Sequence, residues 1–105
     1  MGLYHSTYRA YGFEIPDTDF NALETVLEEQ PGPDRVQRLF LGDAEKTLLV
    51  TDCELIEECA FLRLTPEDFA RYEVPAWNKA LHDAAVRLGH EQHPDPSWLL
   101  IHNYR

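Results

Sequence analysis

Apolar positions along the chain change their period several times, and each change predicts an element. Residues 3–15, LYHSTYRAYGFEI, are rich in Tyr, Thr, Phe and Ile, side chains that suit a half-buried strand. Gly12 within that run predicts a bulge or bend. From Asp17 to Gln30 the period is helical. Phe20, Leu23, Val26 and Leu27 share one face, and Asn21, Glu24 and Glu28 share the opposite, solvated one. Asp17 or Thr18 can cap this helix, and Asp19 suits the positive end of its dipole. PGPD, residues 31–34, ends it. Residues 35–41 and 47–53 read as two strands, with GDAEK between them as a hairpin loop. At Thr65-Pro66-Glu67-Asp68 a capping residue, a Pro at the first helical position and two acids predict a helix start. Phe69 and Tyr72 continue that helix, and Pro75 breaks or kinks it. Trp77, Leu81, Ala84 and Leu88 then form one stripe that stops at Gly89. Lys79, Asp83 and Arg87 lie at four-residue spacing, where they can pair. HEQHPDP is a loop, and SWLLIHNY, residues 97–104, is a closing strand.

The order strand, helix, strand, strand, helix, strand resembles the ferredoxin-like superfold. The resemblance implies an α+β domain in split βαβ order: an antiparallel sheet of four or five strands, with two helices on one face and the second helix kinked near Pro75. The fifth strand would come from residues 54–64, whose pattern is ambiguous. A single strand over 47–64 would place Glu57 on the face of Leu55, Cys59 and Phe61. A bulge or break near 56–58, or a short helical turn at 54–60, relieves that conflict. A superfold hosts many functions, so the resemblance carries no functional residue.

A chain of 105 residues with 44% apolar and 27% charged content fits a single folded domain, residues 1–105, rather than a disordered segment. No apolar run approaches the roughly 20 residues of a membrane span. The opening has neither a basic start nor an apolar core, so no secretory signal is expected. Met1-Gly2-Leu3-Tyr4-His5-Ser6 does match a myristoylation pattern, but an acidic chain lacks the basic patch that usually helps such an anchor. With two cysteines, too few for a disulfide framework, these features lead us to expect a cytoplasmic protein.

Charge narrows the partners. The formal net charge is −10, and residues 1–62 hold thirteen acids against four bases. Such a surface repels nucleic-acid backbones and anionic lipid, and it can steer a basic protein partner. Glu24, Glu28, Asp43, Glu54, Glu57 and Glu58 are the acids expected to form that surface.

The stretch TDCELIEECAF, residues 51–61, looks most like chemistry. Cys53 and Cys59 are six residues apart, which is roughly 20 Å in a strand and about 9 Å along a helix. Neither arrangement allows a disulfide or a shared metal ion, and the residues between them include no usual turn former. His90 and His93, with Glu91 and Asp95 nearby, can form at most a weak metal site, because no third ligand is well spaced. A weak metal binder using these histidines, Cys59 or neighbouring acids is therefore an alternative reading. The serines, threonines and glycines form neither a nucleophile elbow nor a phosphate loop. No cofactor is expected, and the reading leans away from an enzyme.

His5 and His102 come together if the first and last strands pair with Leu3 near Tyr104. Trp98, Leu100, His102 and Tyr104 alternate onto one face of the last strand. If that face lies away from the helices, His5, Trp98, His102 and Tyr104 form an aromatic interface or pocket, as in dimeric ferredoxin-like ligand binders. If it is the core side, Leu99 and Ile101 point outward. The expectation is a non-catalytic protein-binding or regulatory module with an acidic surface. A homodimer with a small-molecule pocket or a small enzymatic site is the alternative.

Overall fold

The computed structural model describes residues 5–30, 35–42 and 46–104. Its elements are β1 (His5–Ile15), α1 (Phe20–Glu28), β2 (Gln37–Leu41), β3 (Lys46–Ile56), a 3-10 turn (Pro66–Phe69), α2 (Val74–Arg87) and β4 (Ser97–Tyr104). All strand pairs are antiparallel and the order is β2-β3-β1-β4, so β1 is central and β2 and β4 are edges. The chain is α+β, with a four-stranded antiparallel sheet and two helices. Among the described residues no helix is long and apolar enough to cross a membrane. The PGPD segment, residues 43–45 of the hairpin loop, and Gly2 and Leu3 lie outside the described residues.

Alternation along β1 divides the core in two. Tyr11, Phe13 and Ile15 pack with Leu23 and Val26 of α1 and with Trp77, Leu81, Ala84 and Ala85 of α2. Both helices therefore cover one face. On the other face Ala10, Leu48, Val50 and Ile101 form a second, smaller core, bordered by Tyr8, Leu39, Leu41, Cys53 and Leu99. The sheet coils to make this possible. Asn103 faces Ser6 at one end of β1, while Leu41 faces Lys46 beyond the other end. Yet the Asn103 side chain donates to the Phe40 carbonyl at 3.1 Å and accepts from the Gly42 N–H at 2.9 Å. Diagonally opposite corners of the sheet thus meet, with the second core inside the coil. At Gly12 the strands approach so closely that an added Cβ would lie 1.9 Å from the Leu49 carbonyl oxygen.

Three boundaries differ from the sequence reading. Asp19, rather than Asp17 or Thr18, caps α1 by accepting from the Ala22 N–H at 2.9 Å. The Thr18 hydroxyl instead donates to the Pro16 carbonyl at 2.7 Å. The bulge lies in β3 at Asp52, which adopts φ 51°, while the break expected near 56–58 is present, because β3 ends at Ile56. Asp tolerates that left-handed backbone better than most residues. Residues 54–56 extend β3, and the chain turns at 57–60 with the Ala60 N–H donating to the Glu57 carbonyl and Cys59 at φ 60°. Finally, Pro75 kinks no helix. The 3-10 turn stops at Phe69, and α2 begins afresh at Val74 with Pro75 in its first turn, where a missing N–H has no partner to lose. The other end of α2 closes as expected, with the His90 N–H on the Ala85 carbonyl and Gly89 at φ 89°.

Candidate functional site

Arg9 is the charged residue that the strand alternation places on the helix-side parity of β1. Its side chain is only one-tenth exposed. The β3 bulge supplies its partners. By inserting a residue opposite Ala10, the bulge lets Asp52 and Glu54 reach the same guanidinium. Nη2 of Arg9 lies 3.2 Å from Asp52 Oδ2 and 3.1 Å from Glu54 Oε1. Asp68 Oδ1 lies 3.7 Å from Nη1. The guanidinium also sits 4.8 Å from the centre of the Trp98 ring, whose electron-rich face attracts the cation. Arg9 Nε is buried with no hydrogen-bond partner among the described residues.

A second arginine extends the network. Arg71 donates to Asp52 at 3.0 Å and to Glu73 at 2.8 Å, and stands 4.8 Å from the Trp77 ring centre. The hydrogen bond to Glu73 raises the Arg71 pKa further above its ordinary value, and the same bond lowers that of Glu73. Asp68 is also held below the usual carboxylate range, first by the backbone N–H of Thr65, which donates to it at 2.7 Å. The capping pattern at Thr65 therefore closes a turn and aims a carboxylate at Arg9. Trp98 meets Tyr11 and Trp77 edge-on, and Tyr11 is tilted against Trp77, at centroid distances of 5.2 to 5.9 Å. The Tyr11 hydroxyl donates to Asn78 at 2.7 Å, and burial raises its pKa.

Above Arg9 the segment between β3 and α2 leaves a groove of about 470 Å³. Phe61, Leu64 and Phe69 form one wall and Trp98 and Leu100 the other, with Arg9 and Asp68 also lining it. Its walls are open to solvent: Phe61 is 81% exposed, Phe69 59% and Leu100 78%. Tyr72 nearby in sequence is 90% exposed. Apolar side chains held in this way, around a guanidinium already matched by acids, can take up an apolar group but provide no nucleophile.

The sequence-predicted residues are only partly united here. Glu54 belongs to the site as a partner of Arg9. Glu57 and Glu58 are exposed in the turn that follows β3, where with Cys59 they line an adjoining hollow. Glu24 pairs with Arg38, which lies between Phe20 and Phe40, and Glu28 is exposed on α1. Asp43 lies outside the described residues. Trp98 is on the helix side, packed on Tyr11 and Trp77, but Leu99 and Ile101 do not point outward, because they belong to the second core. His5 faces Tyr104 and His102 faces Thr7, so the two histidines are not opposite one another. His102 is exposed, and the side chains of His5 and Tyr104 lie outside the described residues.

His90 and His93 part company. His90 pairs with the Thr18 hydroxyl at 2.8 Å, while His93 pairs with His82 at 2.8 Å and stacks on Phe13. Among the described residues no three His, Cys, Asp or Glu side chains are grouped to hold a metal ion. Both cysteines are free; Cys53 borders the second core and Cys59 is exposed.

Sequence reasoning placed Leu100 on the face of Trp98 but missed Arg9, Phe61, Leu64 and Phe69. Arg9 carried a usable signal, a lone base on the parity of Tyr11, Phe13 and Ile15. Leu100 shares the strand period of Trp98, and Phe61, Leu64 and Phe69 lie where no period holds. Comparisons with protein-family models, with curated proteins and with solved structures return no match to this chain.

Proposed function

We propose that this chain is a non-catalytic protein-binding module whose docking site is the groove over Arg9. The observation that carries this reading is the coincidence of an open apolar groove with an acidic surround. Residues 52–73, which supply Phe61, Leu64, Asp68 and Phe69 to the groove, contain seven acids and two bases; Asp52, Glu54, Asp68 and Glu73 are paired with Arg9 or Arg71, and Glu57, Glu58 and Glu67 are exposed. Arg71 is engaged by Asp52 and Glu73. An apolar residue flanked by Lys or Arg is the complementary partner: the apolar group leaves water in the groove and the cations meet the carboxylates.

We also read the chain as a ferredoxin-like split βαβ unit. The element order, with β1 between β3 and β4, supports that assignment. We place the protein in the cytoplasm, in keeping with two free thiols.

A panel of short labelled peptides tests the binding reading by fluorescence anisotropy. Each carries one Leu, Phe or Trp between Lys or Arg residues, and controls replace the apolar residue by Ser or the bases by Glu. The basic apolar peptides are expected to bind, more weakly at high salt, and to be released by Leu100→Ser or Phe69→Ser. Equal binding of the acidic controls, or no binding by any peptide, would refute the proposal.

A further inference from the structure

The groove shares a wall with β4, and β4 is an edge strand left without the usual protection. Edges in native sheets carry charges, prolines or bulges, or are short, because their free N–H and C=O groups invite another strand. The other edge follows the rule: β2 has five residues and carries Arg38, paired with Glu24. β4 has eight residues, SWLLIHNY, with no Lys, Arg, Asp, Glu, Pro or Gly. Among the described residues only β1 pairs with it, and no backbone hydrogen bond reaches residues 97–101 from the far side. Asn103 ties the end of β4 to β2, which confines the open length to about those five residues. Trp98, Leu99 and Leu100, within that length, line the groove.

We infer that the partner segment docks as an added strand along residues 97–101 of β4, with one side chain seated in the groove. The inference rests on the protein-binding reading above and specifies its mode. Cross-strand neighbours in a sheet project to the same face. A residue opposite Trp98 or Leu100 therefore projects to the helix side, against Phe61 and Phe69. The residues on either side of it project to the opposite face. Backbone pairing supplies sequence-independent affinity, and the groove selects the apolar residue. Basic residues in the same segment meet the exposed carboxylates Glu57, Glu58 and Glu67.

A second copy of this chain is the weaker occupant. Each copy has a formal charge of −10, and pairing two β4 edges would bring two acidic rims together. A basic extended segment meets no such repulsion.

The test uses the tightest basic apolar peptide of the panel with its backbone amides N-methylated one at a time, so that the protein itself is unchanged. Strand addition predicts an alternating result. Methylation at every second residue weakens binding about tenfold or more, and the positions between are tolerated. In parallel, alternate amides within 97–101 gain protection from hydrogen exchange when peptide is added. Uniform tolerance of methylation would overturn strand addition while leaving groove binding intact. Failure of every panel peptide to bind would overturn both. A dimer whose β4 amides are protected before peptide is added would assign the edge to a second copy and overturn the inference.

Discussion

The Asn103 side chain of β4 donates to the Phe40 carbonyl of β2 at 3.1 Å, joining the two strands that lie farthest apart in the sheet order. Its oxygen accepts from the neighbouring Gly42 N–H, and the residue is 4% exposed. A buried amide that satisfies a donor and an acceptor at once holds the coil closed over Ala10, Leu48, Val50 and Ile101. Asn103→Ala leaves both backbone groups without that partner and is expected to cost about 2 kcal/mol. Asn103→Asp retains an acceptor for Gly42 but sets a carboxylate against the Phe40 carbonyl, so it should destabilise at least as much. Urea unfolding checks both. An unchanged midpoint in Asn103→Ala would mean that the coil closes without the clasp.

The same coil makes Gly12 intolerant of any side chain. A Cβ there would meet the Leu49 carbonyl oxygen at 1.9 Å and the Val50 Cα at 2.8 Å, both backbone atoms that cannot swing aside. Gly12→Ala is expected to cost about 3 kcal/mol or more, with loss of soluble folded protein as the extreme outcome. Gly89→Ala is the control. At φ 89° it is strained, but nothing lies within 4 Å of its Cβ, so about 1 kcal/mol is expected. Thermal unfolding of the two variants should rank them in that order.

Element order was legible because period is a local property. Phe20, Leu23 and Val26 announce a helix whatever covers them, and Gly89 announces its end. Gly12 predicted a bulge or bend, whereas β1 runs unbroken through it and the glycine admits the close approach of β3. The site was less legible because its parts answer to distant partners. Arg9 meets Asp52 forty-three positions away, and Asn103 meets Phe40 sixty-three positions away. Phe61, Leu64 and Phe69 belong to a segment with no sustained period, so no face could be assigned to them. The turn at 57–60 was hidden for a different reason. It uses Cys59 at φ 60°, where a Gly or Asn would have been the visible signal.

Arg9 holds three acids and an indole, and lysine cannot replace it. The guanidinium bonds Asp52 and Glu54 through Nη2, turns Nη1 toward Asp68 and lays a flat face over Trp98, whereas an ammonium has a single nitrogen to serve all of them. Arg9→Met removes the cation and leaves Asp52, Glu54 and Asp68 to repel one another. Because those acids are between a quarter and a half exposed, water offsets much of the loss, and about 2 kcal/mol is expected. Arg9→Lys should recover less than half of that. Tryptophan emission reports the change directly, since the guanidinium contacts Trp98. Full recovery by lysine would show that charge alone, without the fork, suffices.

The two thiols should differ in reactivity. Cys59 is exposed, whereas Cys53 borders the second core, where burial first and the neighbouring Asp52 second raise its pKa. Less thiolate and less access both slow alkylation. Iodoacetamide at neutral pH is expected to modify one thiol per chain in the native protein and two in denaturant, with mass mapping placing the native label on Cys59. Rapid modification of Cys53 in the native protein would place its thiol in solvent instead.

Acid should loosen the segment over the groove. Glu67, Asp68 and Glu73 all have lowered pKa values in the folded chain, through the Thr65 side chain, the Thr65 backbone and Arg71 respectively. A carboxyl group with a lowered folded pKa binds protons more readily when unfolded. Its stabilising contribution is therefore complete above the ordinary carboxyl range, about pH 4, and disappears as pH falls through the lower folded values. Stability measured by urea unfolding should fall as pH drops below about 4, with a shallower slope in Asp68→Asn, which has no carboxyl group to titrate at this position. An acid limb of unchanged slope in Asp68→Asn would assign the loss to other carboxylates and detach Asp68 from the stability of the groove wall.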